Sequence, residues 1–329
     1  MQENDLLGRN INKEITVDGV KVIQKQLVGE EKDKKRRLSH LLNWERQEHQ
    51  GVNSPRMVSV DEIKQIASYQ FIDNNKTLLR LFEDGIKQST VDDLIPIFEE
   101  TAKSLALIHN SKINEEFLLN NPQKLLRPLI ALNPKEYTES SGAELELFAL
   151  LQQDSQLIEA LGSYQTDQKY QKMIHGDVRL DQFLYDGDKV WVIDFEEYTC
   201  GDALADISGI IGAVLFEVYL EVFYSSWDGS RQGETDIDIN NQLHNKETKL
   251  LELISPLVIS FITRYQKISH EEIDGALLSS NIGCFFIERI ISRSKFSFKL
   301  SAVDRALAGI GREFIVSPEN FSALLSAIE

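Results

Sequence analysis

The chain has 329 residues, with 35 basic against 52 acidic side chains and a net charge of −17. That balance argues against a nucleic-acid binder, which carries a basic footprint; it suits solubility and, more weakly, a cationic substrate. Only Cys200 and Cys284 are present, far apart and without metal-ligand spacing, so neither a disulfide framework nor a zinc site is expected and a reducing cytoplasm fits.

The first residues are polar and acidic, without a signal-peptide pattern. Residues 14–28 alternate and are rich in β-branched side chains, with Asp18-Gly19 between two runs. That predicts a hairpin of Ile15-Thr16-Val17 with a strand over 20–27. Helical spacing follows over 34–49, ended by Asn53-Ser54-Pro55, and strands are expected at 57–60, 66–72 and 77–82. Beyond Glu83-Asp84-Gly85 the pattern turns helical: amphipathic runs at 91–109 and 144–161, then helices over 248–265, 271–293 and from Ser317 onward. The most apolar stretch, 207–223, is broken by Gly209, Gly212, Glu217 and Glu221, reads as too short and too charged for a membrane span, and is expected to be a buried helix. The acidic segment 227–246 reads as a surface loop. The expectation is an α+β, bilobal, kinase-like fold. It divides into a small sheet with one helix over residues 1–83 and a larger helical lobe over 84–329.

The informative stretch is Ile174-His175-Gly176-Asp177-Val178-Arg179-Leu180-Asp181-Gln182-Phe183-Leu184, followed by Val190-Trp191-Val192-Ile193-Asp194-Phe195-Glu196. Phosphoryl transfer needs a carboxylate to orient and deprotonate the attacking hydroxyl, and oxygen donors to hold a divalent cation between phosphates. Asp177 suits the first task. The Gln182 amide and Asp194, at the end of an apolar strand, suit the second, since Mg²⁺ takes hard oxygen ligands. His175 reads as structural. The conjunction of these pieces, joined by a turn at Asp186-Gly187-Asp188, is what carries weight.

The segment resembles the aminoglycoside phosphotransferase and choline kinase branch of the kinase fold, whose motifs read HGD-x4-N and I-D-[WF]. Gly201-Asp202-Ala203-Leu204-Ala205-Asp206 is similar to that branch's GDP-x-x-D element. The resemblance implies ATP and Mg²⁺ as cofactors, with Asp177 as base and Arg179 beside it in the catalytic loop. Gln182 and Asp194 would be metal ligands, and His175 and Asp206 structural supports. Gln182 departs from the branch's asparagine. A narrower resemblance, carried by Asp177-Val178-Arg179-Leu180-Asp181-Gln182-Phe183 and by Lys25-Gln26-Leu27-Val28-Gly29, is to the kinase subunit of class V lanthionine synthetases. It implies phosphorylation of Ser or Thr in a ribosomally made precursor peptide, with a separate lyase subunit as possible partner, and neither nucleic acid nor membrane. The alternatives are a small-molecule alcohol kinase and a pseudokinase scaffold.

A kinase also needs a strand lysine held by a helix glutamate. Lys25 and Glu45 are the expected pair, with Lys21 as the alternative lysine. A phosphate-cradling glycine loop should precede them, and only Gly8 is available. The basic run 32–37 opens the first helix against its dipole, and reads as a solvated face or a contact for an acidic peptide or partner.

Overall fold

The structure is a computed structural model describing residues 10–17, 19–47, 51–113, 117, 129, 131–163, 170–225 and 236–319. The predicted hairpin forms: β1 (Ile11–Val17) and β2 (Val20–Gln26) pair antiparallel with Val17 opposite Val20. Gly19 takes φ +81°, which glycine adopts without steric cost. β3 (Met57–Asp61) and β4 (Ile66–Gln70) complete an antiparallel sheet of order β1-β2-β4-β3. Helix α1 (Glu31–Arg46) buries Leu38, Leu41 and Trp44, and Trp44 stacks on Phe195 at 3.5 Å between centroids. It starts before the basic run, with Glu31 and Asp33 in its first turn, so the dipole is matched there by acids.

The stretch 77–82 is not a strand. After a two-residue β5 (Lys76–Thr77), helix α2 runs Leu78–Gln88. The Thr77 hydroxyl accepts from the Arg80 amide at 3.2 Å, and Leu78, Phe82 and Ile86 are buried at helical spacing. Helix α3 (Ile95–His109) follows as expected. The run at 144–161 is two helices, Gly142–Gln152 and Ser155–Ser163. The break is made by Asp154, whose carboxylate accepts from the Leu157 amide at 3.0 Å and from Arg312 at 2.7 Å.

The apolar stretch becomes the helix Ala203–Ser225, longer than the sequence suggested. Its window Ala203–Tyr224 has the length and hydropathy of a membrane span, but 78% of that window is buried inside the protein. It is packed as the central helix of the large lobe, with Phe216 edge-on to Phe286 at 5.2 Å between centroids. Burial of each such ring contributes on the order of 2 kcal/mol. The segment 236–246, expected in a loop, belongs to the long helix Asp236–Ser269. The helix Gly275–Ser294 is capped by Asp274, and Ala302–Val316 follows. The helix expected from Ser317 falls almost wholly outside the described residues.

Between the lobes lie two small sheets. β6 (Gln171–Ile174) pairs with β9 (Thr199–Asp202), and β7 (Phe183–Tyr185) with β8 (Val190–Val192). The turn between β7 and β8 passes through Gly187 at φ +103°. These short pairings position the motif residues.

Candidate active site

The catalytic-loop segment leaves β6 and turns sharply at Gly176, where φ is +84° and a Cβ would stand 2.4 Å from the Glu197 carbonyl oxygen. Asp206, buried at the start of the central helix, holds this turn. Its carboxylate accepts from the His175 amide at 2.7 Å and the Gly176 amide at 3.0 Å. The same carboxylate lies 3.0 Å from Nε2 of the buried His109, whose Nδ1 is 2.7 Å from the Tyr265 hydroxyl. His175 performs a related task. Its Nε2–H donates to the Ile193 carbonyl at 2.8 Å and its Nδ1 accepts from the Asp177 amide at 3.4 Å, which fixes the tautomer and ties the loop to the residue before Asp194.

Asp177 keeps 40% of its side chain exposed. Crowding by the surrounding protein, together with the charges of Asp194 and Asp181, pushes its carboxyl up to about 6 against the opposing pull of Arg179 and His175. Arg179 reaches Asp177 at 3.5 Å and Asp181 at 3.1 Å. Gln182 is buried, with its amide nitrogen 3.4 Å from Asp181. The Ile193 amide donates to its backbone carbonyl at 3.0 Å, so β7 and β8 bring positions 182 and 193 side by side.

Asp194 takes the left-handed conformation, φ +69°, which an aspartate tolerates better than most residues. Its carboxylate is bonded to the Lys25 ammonium. Lys25 also lies 2.9 Å from Glu196. Burial alone would lower the lysine pKa and raise that of Asp194. The opposite charges outweigh burial in both, so Lys25 sits above and Asp194 below its ordinary value. Lys21, the alternative lysine, is exposed and pairs with Glu14 at 3.0 Å.

Glu45, the expected partner of Lys25, does not contact it. Its Oε2 accepts from the Met57 amide at 3.4 Å, and burial raises its pKa. Glu45 lies near the C-terminal end of α1, whereas Lys25 is linked to the helix through Glu196 and Arg37, just over two turns earlier. Gly8 lies outside the described residues. The basic run is divided: Lys32 and Lys35 are exposed, as on a solvated face, and the arginines are engaged. Lys34 and Lys35 reach Glu31, Arg36 forks onto Glu197 at 2.6 and 2.8 Å, and Arg37 is fully buried.

Two charged residues within electrostatic reach of the loop belong to no motif in the sequence. Glu288 and Arg289, in the helix Gly275–Ser294, face the loop electrostatically. Burial and the charge of Asp177 raise the Glu288 carboxyl to about 7. Burial and Arg179 lower the Arg289 pKa, against the pull of Asp181, Glu217 and Asp177. Burial and Glu83 raise that of Glu217. The available signal was a charged Glu-Arg pair inside the apolar run Cys284-Phe285-Phe286-Ile287 to Ile290-Ile291.

The donor set suits a magnesium-loaded nucleotide. Asp194 and Gln182 offer hard oxygens. Among the described residues no group of three His, Cys, Asp or Glu side chains could hold an ion alone.

Comparison with solved structures gives the same architecture. A choline/ethanolamine kinase family protein from Mesorhizobium loti superposes with a TM-score of 0.52 at 12% identity, over 100% of this chain and 92% of that one. An amicoumacin kinase in complex with AMP-PNP, Ca²⁺ and its substrate gives 0.50 at 12% identity, over 96% and 88%. An aminoglycoside phosphotransferase bound to ADP and hygromycin B gives 0.50 at 12%, over 96% and 93%. The comparison with curated proteins found no match. Residues 29–235, which contain α1, the catalytic-loop segment, Asp194 and Asp206, match the phosphotransferase enzyme family, and the chain belongs to it.

Proposed function

We propose that this phosphotransferase moves the γ-phosphate of ATP, in the presence of Mg²⁺, onto a Ser or Thr hydroxyl of a ribosomally made peptide. The observation that carries phosphoryl transfer is that two ion pairs, Lys25 with Asp194 and Arg179 with Asp177, lie within electrostatic reach of one another. Lys25 supplies a buried cation for the phosphates. Asp177, poised near neutrality by its surroundings, accepts the proton of the attacking hydroxyl. Arg179 steadies Asp177 and adds positive charge where the transferring phosphoryl group is most anionic. A bound Mg²⁺, held by Asp194 and Gln182, would neutralise phosphate charge and align the donor.

The acceptor side supports a peptide. Arg179 and Arg289 both lie within electrostatic reach of Asp177 and Asp181, and Arg289 also of Glu217. Two guanidinium groups so near the base disfavour a polycation and suit a zwitterionic chain. The likeness of the catalytic-loop segment to lanthionine synthetase kinases points the same way, and a lyase subunit would then consume the phosphorylated peptide. A second reading, a small-molecule alcohol kinase, is favoured by Glu217 and Glu288, which could receive an ammonium group, and by the aminoglycoside and choline kinases of the same fold.

The two readings part on one experiment: Mg²⁺ and ATP with Ser- and Thr-containing peptides in parallel with a panel of amino alcohols. Addition of one phosphoryl group is read by mass, with Asp177→Asn as control. Phosphorylation of the amino alcohols alone would overturn the peptide assignment.

A further inference from the structure

In a kinase the strand lysine is oriented by a carboxylate from the neighbouring helix. Here the helix offers no such carboxylate. Lys25 is held by Glu196, which follows Asp194 by two residues, at 2.9 Å. Glu196 is itself buried and fixed by three groups: Lys25, the Asn10 amide at 2.7 Å, and the Arg37 guanidinium of α1 at 3.4 Å. Arg37 has no exposed side-chain surface. It also donates to Asn10 at 2.8 Å, to Asp33 at 3.0 Å and to the Val28 carbonyl. Next to it, Arg36 forks onto Glu197. The helix is thus attached to the segment after Asp194 by two consecutive arginines meeting two consecutive glutamates.

We propose that the lysine-orienting ion pair of this enzyme is inverted, with Glu196 as the positioning carboxylate for Lys25 and Arg37 of α1 as the cation that makes Glu196 usable in a phosphate site. The inference rests on the phosphotransferase reading of the cleft. Its physical basis is charge balance. Lys25 and Arg37 bring two positive charges to the cluster, and Asp194, Glu196 and Asp33, which also bonds Arg37, bring three negative ones. Were a metal ion to take up Asp194, Glu196 would remain as the anchor of Lys25 and the other four charges would balance. Without Arg37 negative charge would be in excess there, with Glu196 left to Lys25 and Asn10 alone, and would repel an incoming polyphosphate. Glu45, engaged with the Met57 amide, has no part in this.

The test is nucleotide affinity, measured with AMP-PNP and Mg²⁺ by calorimetry, with kcat and KM for ATP alongside. Glu196→Gln keeps the shape and a hydrogen-bonding amide beside Asn10. It should weaken AMP-PNP about ten- to a hundredfold, the range of one charge-assisted hydrogen bond, and raise KM for ATP more than it lowers kcat. Glu45→Gln should stay within about twofold of wild type. Arg37→Met should weaken nucleotide binding although it touches no ligand. Arg37→Met/Glu196→Gln should bind more tightly than Arg37→Met alone, since the stranded carboxylate is gone; a purely structural arginine would give no such recovery. Thermal unfolding identifies variants that fail to fold, and Arg37→Gln, which also removes the cation but keeps a hydrogen-bonding amide, replaces Arg37→Met in the cycle if that variant is one of them. Loss of affinity in Glu45→Gln with none in Glu196→Gln overturns the inversion. Unchanged affinity in Lys25→Met would instead remove the nucleotide site itself.

Discussion

The carbonyl oxygen of Val178, in the catalytic loop, lies 2.3 Å from where a Cβ on Gly209 would stand. Gly209 is inside the helix Ala203–Ser225, where alanine would ordinarily gain about 1 kcal/mol. Contact with a fixed backbone atom reverses that sign, because neither the loop nor the buried helix can yield freely. Gly209→Ala should therefore destabilise by roughly 1–3 kcal/mol and displace the Asp177 backbone, lowering kcat more than KM. The measurement is a melting curve with steady-state kinetics; an unchanged kcat would show that the loop tolerates the shift.

Asp177 carries the second prediction. As the proposed base it must be ionised, and its carboxyl titrates at about 6. Activity should rise with pH through that value and fall about tenfold per pH unit below it, while Asp177→Asn should lose roughly 10²–10⁴-fold at all pH values and still bind nucleotide. The stability effect has the opposite sense. Because the folded-state value lies above the ordinary one, this carboxyl favours the fold below the ordinary carboxylate range and loses that contribution as pH rises through about 6. At neutral pH the Asn variant should melt slightly higher than wild type. The gain is small because two-fifths of the side chain meets solvent.

What the sequence made legible was whatever depends on local spacing. The hairpin at Gly19, the apolar strand before Asp194 and the turn at Gly187 each follow from a few adjacent residues. The stretch 77–82 misled because Leu78, Leu79, Leu81 and Phe82 fit a strand as well as a helix; the Thr77 cap decided it. The partners of Arg36 and Arg37 were illegible for a different reason. Their charges are matched by Glu196 and Glu197 from the other side of the cleft, and no periodicity within a helix records a pairing so remote in the chain. Glu288 and Arg289 were hidden likewise inside an apolar helix.

Asp206 supplies the third prediction. It is 1% exposed and takes up the His175 and Gly176 amides as well as Nε2 of His109. Asp206→Asn would turn an amide donor towards at least one of these donors. A cost of roughly 3–5 kcal/mol is expected, with kcat falling because the Gly176 turn loses its anchor. A variant that melts like wild type would contradict the role given to this carboxylate.

The last prediction concerns Asp194, whose left-handed backbone argues for asparagine rather than alanine as the test, since asparagine tolerates that conformation. Asp194→Asn leaves the turn intact but removes the charge that meets Lys25 and that would meet a metal ion. In wild type, added Mg²⁺ should tighten nucleotide binding; in the variant it should not, and phosphoryl transfer should fall at least about a hundredfold. The Lys25 contact adds a pH signature. Burial works against the ionised Asp194 carboxylate, yet Lys25 holds its pKa below the ordinary range. Its contribution to stability is thus complete above that range and is lost as pH falls through the depressed value. Wild type should lose stability on acidification there, and the variant should lack that component. If Mg²⁺ still strengthened nucleotide binding to Asp194→Asn, the cation would have to be held by other residues, and the assignment of Asp194 and Gln182 as its protein ligands would fall.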